Sequence, residues 1–161
     1  MGVRRVQYTV AMDALEILMA PAAGLELTAH LVAAYPHEGC GVLIGSLDCG
    51  YVWIDRAAGL TNRQAPSTDD RFEIDPLSYG RIEAELRGTP QRIIGFFHSH
   101  PDGVALPSSI DLEMAQGLFE VAREYFVYAI QVIKTQGPGE LTFWRLREDR
   151  DAFEKMTLLP D

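Results

Sequence analysis

The sequence predicts a mixed α/β domain in which apolar strands and amphipathic helices alternate along the chain. Three observations lead to this fold class: short β-rich apolar runs, helical apolar periodicity between them, and proline or glycine at the boundaries. The 161 residues suit one domain of ordinary size, and 47% hydrophobic residues suffice for a core. Interleaved strands and helices indicate a mixed sheet with helices on its faces.

The first half of the predicted domain contains a strand, a helix and a hairpin. Residues 15–19 predict a short strand and residues 22–35 a helix, which Pro36 ends. The apolar face expected for this helix consists of Leu25, Leu27, Leu31, Val32 and Tyr35. The glycine-bounded run 39–45 and the segment 51–54 together predict a buried hairpin.

The second half begins with a polar, turn-rich loop at residues 59–71, which is long for a small domain and of a length often associated with function. Residues 72–74 predict a short strand. Asp75 and Pro76 suit the N-cap and the first position of a helix that reaches residue 87. The remaining elements are a strand at 92–98, a helix at 109–124, and strands at 126–133 and 140–146 joined by a turn at 136–139.

The predicted domain spans residues 14–148, with a leader at 1–13 and a C-terminal tail at 149–161. Fourteen basic against 23 acidic residues give a net charge of −9, so we expect neither nucleic acid nor a membrane as a partner. No apolar run approaches the roughly 20 residues that span a bilayer. The sequence carries no signal of oligomeric state.

The expected location is the cytoplasm. Asp13 and Glu16 interrupt the apolar run near the N-terminus, which disfavours a signal peptide. Two cysteines, Cys40 and Cys49, can pair in principle. In a domain with its own core they are more typical of reduced thiols.

The segment from His98 to Asp111 predicts a metal site. Side chains alternate along a strand, so His98 and His100 point to the same side. Asp111 lies in the first turn of the next helix, which Ser108 or Ser109 caps. Two imidazoles and one carboxylate, with a position left for water, form a donor set typical of catalytic zinc. Alone, Asp111 is also an ordinary acid at a helix N-terminus.

Glu38 is the candidate general acid/base. It stands directly before a glycine-rich buried strand, where a carboxylate is costly to desolvate without a partner. From there it can take a proton from water and later give it to a leaving amine. Ser108 is the candidate oxyanion stabiliser, although its hydroxyl also suits a plain N-cap. Neither His30 nor His37 fits this set, and Cys40 is more typical of core packing than of a nucleophile.

These residues together resemble the signature of the JAMM (MPN-plus) metalloproteases. The resemblance rests on an upstream glutamate, His-x-His-Pro and Pro-Ser-x-x-Asp, here Glu38, His98, Ser99, His100, Pro101, Pro107, Ser108 and Asp111. It extends over residues 15–146, and residues 71–76 are most similar to the small prokaryotic members. The resemblance implies a cytidine deaminase-like fold with a curved mixed sheet flanked by helices. It also implies one zinc ion per chain and no organic cofactor.

The implied function is that of a peptidase or isopeptidase. Members of the family cut ubiquitin or ubiquitin-like proteins at the glycine-rich tail, and small bacterial relatives trim ubiquitin-like sulfur carriers. The chain lacks room for the insertions of the dedicated eukaryotic deubiquitinases, which favours a sulfur-carrier tail as substrate. Two alternatives are the same chemistry in phage-tail or cell-wall peptide processing, and a non-catalytic MPN scaffold. The loop 59–71 either binds an extended substrate by strand addition or is a simple connector.

Overall fold

The computed structural model of the protein describes residues 16–63 and 72–160, and within them the predicted α/β class is confirmed. The elements follow one another as β1 (Glu16–Met19), α1 (Pro21–Ala34), β2 (Cys40–Asp48), β3 (Tyr51–Leu60), α2 (Pro76–Leu86), β4 (Arg92–Pro101), α3 (Ser109–Ala122), β5 (Val127–Lys134), β6 (Gly137–Leu146) and β7 (Phe153–Leu158). Among these residues no helix is both long and apolar enough to cross a bilayer.

The strands form one mixed sheet that closes on itself in the order β1-β3-β2-β4-β5-β6-β7. The pairs β1/β3, β1/β7 and β4/β5 are parallel, and the other neighbours are antiparallel. The β2–β3 pair is the predicted hairpin, and both strands continue beyond their predicted ends. Because β4 lies between β2 and β5, the strand that carries the two histidines is held on both sides.

Two apolar clusters cover the two faces of this sheet. Leu43 and Phe97 belong to the cluster that α1 covers, whereas their neighbours Val42 and Phe96 belong to the cluster beneath α2 and α3. This split follows from the alternation of side chains along a strand. Gly41 lies at a tight point of the sheet, because a Cβ there would collide with the Phe97 ring and the carbonyl of Ala58.

Helix α1 packs through a narrower stripe than the sequence predicted. Leu27 and Leu31 are fully buried together with Ala23, and Tyr35 packs against the same cluster. Leu25 and Val32, however, are 73% and 42% exposed. Their assignment to the buried face was wrong, since residues spaced by four along the helix already fill the contact with the sheet.

The two other helices have the predicted starts. The Asp75 side chain accepts a hydrogen bond from the Leu77 N–H at 3.2 Å, so Asp75 is the N-cap of α2. Ser108 caps α3 in a capping box. Helix α2 ends at Leu86 and α3 at Ala122, one and two residues before their predicted ends.

Three predicted segments differ from the structure. Residues 72–74 form no strand, and only Ile74 makes an isolated bridge, to Asn62. The predicted turn at 136–139 is tighter, because β6 already begins at Gly137 and pairs with Lys134. The segment 149–161, expected as a tail outside the domain, contains β7, which pairs with β6 and β1 and closes the barrel. The expected leader at residues 1–13 lies outside the described residues.

Candidate metal centre

Strand β4 presents the two histidines predicted as ligands. His98 is 2% exposed and the His100 side chain 13% exposed. Both rings lie on the same side of β4, with their centroids 5.0 Å apart. The alternation of side chains along the strand therefore has the predicted effect of directing both imidazoles to one place.

The start of helix α3 supplies the carboxylate. Ser108 and Asp111 form a capping box: the Asp111 N–H donates to Ser108 Oγ at 3.1 Å, and the Ser108 N–H donates to Asp111 Oδ2 at 2.8 Å. The box fixes the rotamer of a carboxylate that is only 8% exposed. The partial positive charge of the helix N-terminus further favours the ionised form.

The three side chains converge on one point. His98 Nε2 lies 3.1 Å from Asp111 Oδ1, His100 Nε2 lies 3.1 Å from Asp111 Oδ2, and the two Nε2 atoms are 3.1 Å apart. Ligand atoms at bond lengths of about 2.0–2.1 Å around a tetrahedral ion are separated by roughly 3.3 Å. The donor set therefore fits one zinc ion in both chemistry and spacing. Among the described residues, these three form the cluster able to hold a metal ion.

Neighbouring groups orient the two rings. His100 Nδ1 lies 2.8 Å from the carbonyl oxygen of Val104, which favours the tautomer that carries its proton on Nδ1 and leaves Nε2 free as a donor to metal. Phe72 stacks on His98, with centroids 4.6 Å apart and planes at 25°. A hydrogen bond thus orients the His100 ring, and packing against Phe72 orients the His98 ring.

The protonation states of His98 and Asp111 suit a metal site, whereas the pKa of His100 is raised. Burial lowers the pKa of His98, which favours the neutral imidazole. Burial also acts to lower the pKa of His100, but hydrogen bonds to Asp111 and to the Val104 carbonyl outweigh it, and the net shift is upward. Burial acts to raise the pKa of Asp111, yet its hydrogen bonds with the two histidines hold that pKa far below its usual range. The carboxylate is therefore ionised at neutral pH.

Pairing of β2 with β4 brings Glu38 to this cluster. Cys40 lies opposite His98 in the ladder. One step further, the Ser99 N–H donates to the Gly39 carbonyl at 3.1 Å, and the Gly39 N–H donates to Ser99 Oγ at 2.9 Å. Continuing this antiparallel pairing by one more residue on each strand puts Glu38 beside His100. Glu38 is only 4% exposed, and its charge contributes to the raised pKa of His100.

As the cap of α3, Ser108 keeps a hydroxyl proton for a second hydrogen bond. Its Oγ accepts the Asp111 N–H, which uses a lone pair and leaves the hydroxyl proton free to donate. Ser108 is exposed at the start of α3 and hydrogen-bonded to the candidate ligand Asp111. The structure thus brings together all five residues predicted for the site.

The match to known proteins agrees with this arrangement. Residues 22–147 match the family model described as prokaryotic homologs of the JAB domain. The chain belongs to this family of JAMM/MPN proteins. The predicted resemblance is confirmed.

Relatives of this JAMM/MPN chain include eukaryotic proteins. It is 31% identical to the deubiquitinase BRCC36 of Xenopus tropicalis over 104 residues, which cover 61% of this chain and 39% of that protein. It is 38% identical to a BRCC36-like deubiquitinase of Mus musculus over 71 residues, 40% of this chain and 24% of that protein. The chain thus spans less than half the length of these relatives.

Two solved structures share the fold of the JAMM/MPN chain. A protein from Desulfitobacterium hafniense is similar with a TM-score of 0.72 and 24% identity, and covers 89% of this chain and 91% of its own. A protein from Salinibacter ruber is similar with a TM-score of 0.65 and 32% identity, and the match again covers 89% of this chain and 91% of that protein.

The other reactive side chains lie outside this metal cluster. His30 Nε2 is 3.2 Å from the Leu60 carbonyl, and its ring packs edge-on against Phe97. Cys40 is buried, and burial together with the charge of Glu38 raises its pKa to about 12. Cys49 is exposed and lies nine residues after Cys40, just past the end of the extended strand β2. At about 3.3 Å per residue along a strand, the two thiols are too far apart to form a disulfide.

Sequence reasoning missed two residues that contact the site. Asn62 donates from its side-chain amide to the Glu38 carbonyl at 2.9 Å, and Phe72 stacks on His98. Both flank the segment 64–71, which lies outside the described residues. Their positions depend on chain pairing over long distances, and no local pattern marks either of them.

Proposed function

We propose that this protein is a zinc-dependent peptidase or isopeptidase that hydrolyses a bond at or after the C-terminal tail of a ubiquitin-like sulfur-carrier protein. One observation carries the chemistry: two imidazoles and a carboxylate converge within 3.1 Å of each other beside the buried Glu38. The deubiquitinases among its relatives support a ubiquitin-like substrate. The likeness to small prokaryotic family members supports a sulfur carrier.

His98, His100 and Asp111 are the proposed zinc ligands. A zinc ion held by these residues would supply Lewis-acid chemistry: it would lower the pKa of water bound to it to about 7 and would polarise the scissile carbonyl. Glu38 takes a proton from the attacking water and delivers it to the leaving amine. The Ser108 hydroxyl donates a hydrogen bond to the oxygen of the scissile carbonyl as negative charge develops there.

Two further assignments belong to this proposal. Helices on both faces of a curved mixed sheet support a cytidine deaminase-like fold. The two free thiols support a reducing, cytoplasmic setting.

The deciding experiment combines metal analysis with a cleavage assay. We expect close to one zinc per chain, and mass spectrometry should detect loss of the extension from a sulfur carrier that carries residues after its tail. Chelation should stop the reaction and zinc should restore it. A metal-free preparation that still cleaves the carrier would refute the proposal.

Glu38→Gln separates catalysis from metal binding. The amide is nearly isosteric but accepts no proton, so we expect zinc content close to that of the wild type and turnover reduced at least about 100-fold. Glu113→Gln, an exposed acid-to-amide change on α3, is the matched control and should leave turnover unchanged. A fully active Glu38→Gln variant would remove Glu38 from the mechanism.

The genomic neighbourhood distinguishes the alternatives. Genes for a sulfur carrier and its activating enzyme agree with the proposal, whereas phage-tail or cell-wall genes favour another peptide substrate. Co-purification with a large complex, without hydrolysis, would favour a scaffold. That alternative conflicts with the intact set of His98, His100 and Asp111.

A further inference from the structure

The side chain of Asn62 connects Glu38 to a second segment of the site. Its Nδ2 donates to the Glu38 carbonyl at 2.9 Å, and its Oδ1 accepts the Glu73 N–H at 2.9 Å. The backbone of this region is also paired, since Asn62 bridges Ile74 and the Arg63 N–H donates to the Glu73 carbonyl. One amide therefore contacts both Glu38 and the segment that carries Phe72.

Asn62 contacts Glu38 just beyond the point where the regular ladders of β2 stop. On both sides of β2 the last paired residue is Cys40, opposite Leu60 of β3 and His98 of β4. Beyond Cys40 the Ser99 N–H still donates to the Gly39 carbonyl. Two side chains also bond to the main chain there: Ser99 Oγ accepts the Gly39 N–H on one side, and Asn62 donates to the Glu38 carbonyl on the other. The Asn62 side chain thus bonds to the Glu38 main chain just past the end of the ladders.

We propose that Asn62 is a positioning residue that sets the direction of the Glu38 carboxylate toward the metal centre. This inference rests on the proposed function for its catalytic consequence. Because Phe72 stacks on His98 and is adjacent to Glu73, the same amide links the acid/base to the packing of one ligand ring. Loss of the Asn62 donor removes this bond from the Glu38 main chain and leaves His98, His100 and Asp111 in place.

Asn62→Asp distinguishes the hydrogen bond that Asn62 donates to the Glu38 carbonyl from the one that it accepts from the Glu73 N–H. The carboxylate is isosteric and still accepts the Glu73 N–H, but it has no proton to donate and repels the Glu38 carbonyl. Asn62→Ala removes both bonds. Arg63→Ala is the control, because Arg63 is half-exposed and its long contact to Glu73, at 3.8 Å, can be lost without changing the bonds of Asn62.

With a cleavable carrier, Asn62→Asp should lower kcat about 10- to 100-fold, as loss of a group that orients an active-site residue commonly does. KM should change less than about twofold, and zinc content should remain near one per chain. Asn62→Ala should be equally impaired, and Arg63→Ala should match the wild type. If Asn62→Asp keeps wild-type kcat while Asn62→Ala loses it, the amide only supports the segment at Glu73, and the proposal is overturned.

A second measurement does not depend on turnover. In Co²⁺-substituted protein the visible absorption spectrum reports the surroundings of the ion, so Glu38→Gln and Asn62→Asp should both alter it and Arg63→Ala should not. A wild-type spectrum in Asn62→Asp overturns the positioning role. Failure of the wild-type protein to cleave any carrier instead refutes the proposed function, and the spectral comparison still tests the role of Asn62.

Discussion

Asp111→Asn should remove most of the stabilisation of the fold by zinc without removing the cap of α3. The variant keeps one side-chain oxygen, which can still accept the Ser108 N–H now bonded at 2.8 Å. The contribution of the capping box, about 1 kcal/mol, is therefore largely retained. The variant loses the anionic carboxylate, whose two oxygens each lie 3.1 Å from the Nε2 atom of His98 or His100.

The size of the effect follows from binding linkage. Free zinc at 100 times its Kd stabilises the wild-type protein by about 2.7 kcal/mol. At roughly 2–4 °C per kcal/mol for a domain of this length, Tm should rise by about 5–11 °C. If loss of the carboxylate weakens binding a hundredfold, about 0.4 kcal/mol remains, which is a rise of roughly 1–2 °C.

Calorimetry of chelator-treated protein, with and without added zinc, measures both rises. Glu113→Gln makes the same acid-to-amide change at an exposed position of α3 and should keep the full wild-type rise. An equal rise in Asp111→Asn and in the wild type would show that zinc binds elsewhere. Absence of any rise in the wild type would refute the metal site itself.

Three further outcomes are expected. Iodoacetamide should label the exposed Cys49 in the native protein, whereas Cys40, buried and with its pKa raised to about 12, should react only after denaturation; equal labelling in native protein would contradict its burial. Gly41→Ala should lower stability by about 1–3 kcal/mol because the new methyl group has no space, whereas Gly80→Ala on open helix surface should be neutral or stabilising; urea unfolding compares them. Zinc affinity should fall as pH drops through the raised pKa of His100, because protons then compete for its Nε2, and equilibrium dialysis from pH 8 to 5 measures the loss; affinity that stays constant would exclude His100 as a ligand.

The three candidate metal ligands could be predicted together because they lie in one local segment. His98 and His100 share one strand, and a short connection leads to Asp111 in the first turn of the next helix. Strand alternation and helix capping act over a few residues, so the direction of all three side chains follows from the local pattern. The same local rules gave the N-caps of α2 and α3.

Elements defined by pairing partners were harder to predict. In β7 only Met156 is buried, so burial gives its sequence little apolar pattern. Its strand conformation comes instead from pairing with β6 and β1. For α1 the difficulty was to predict which apolar residues are buried. All of them fit one helical pattern, but only one row packs against the sheet, so Leu25 is exposed.

Glu38 and Asn62 show which kind of residue can be predicted from sequence and which cannot. Glu38 was found from its chemistry, an acid directly before a buried strand, although its neighbour Gly39 meets Ser99 only through a pairing 60 residues apart in sequence. Asn62 has no such chemical signal, because an asparagine in a polar, turn-rich segment is typical of loops. Its proposed role arises from a contact just past the end of the β2–β3 pairing, where its amide donates to the Glu38 carbonyl. A residue of this kind is identified by asking which group satisfies each backbone atom beside a catalytic side chain.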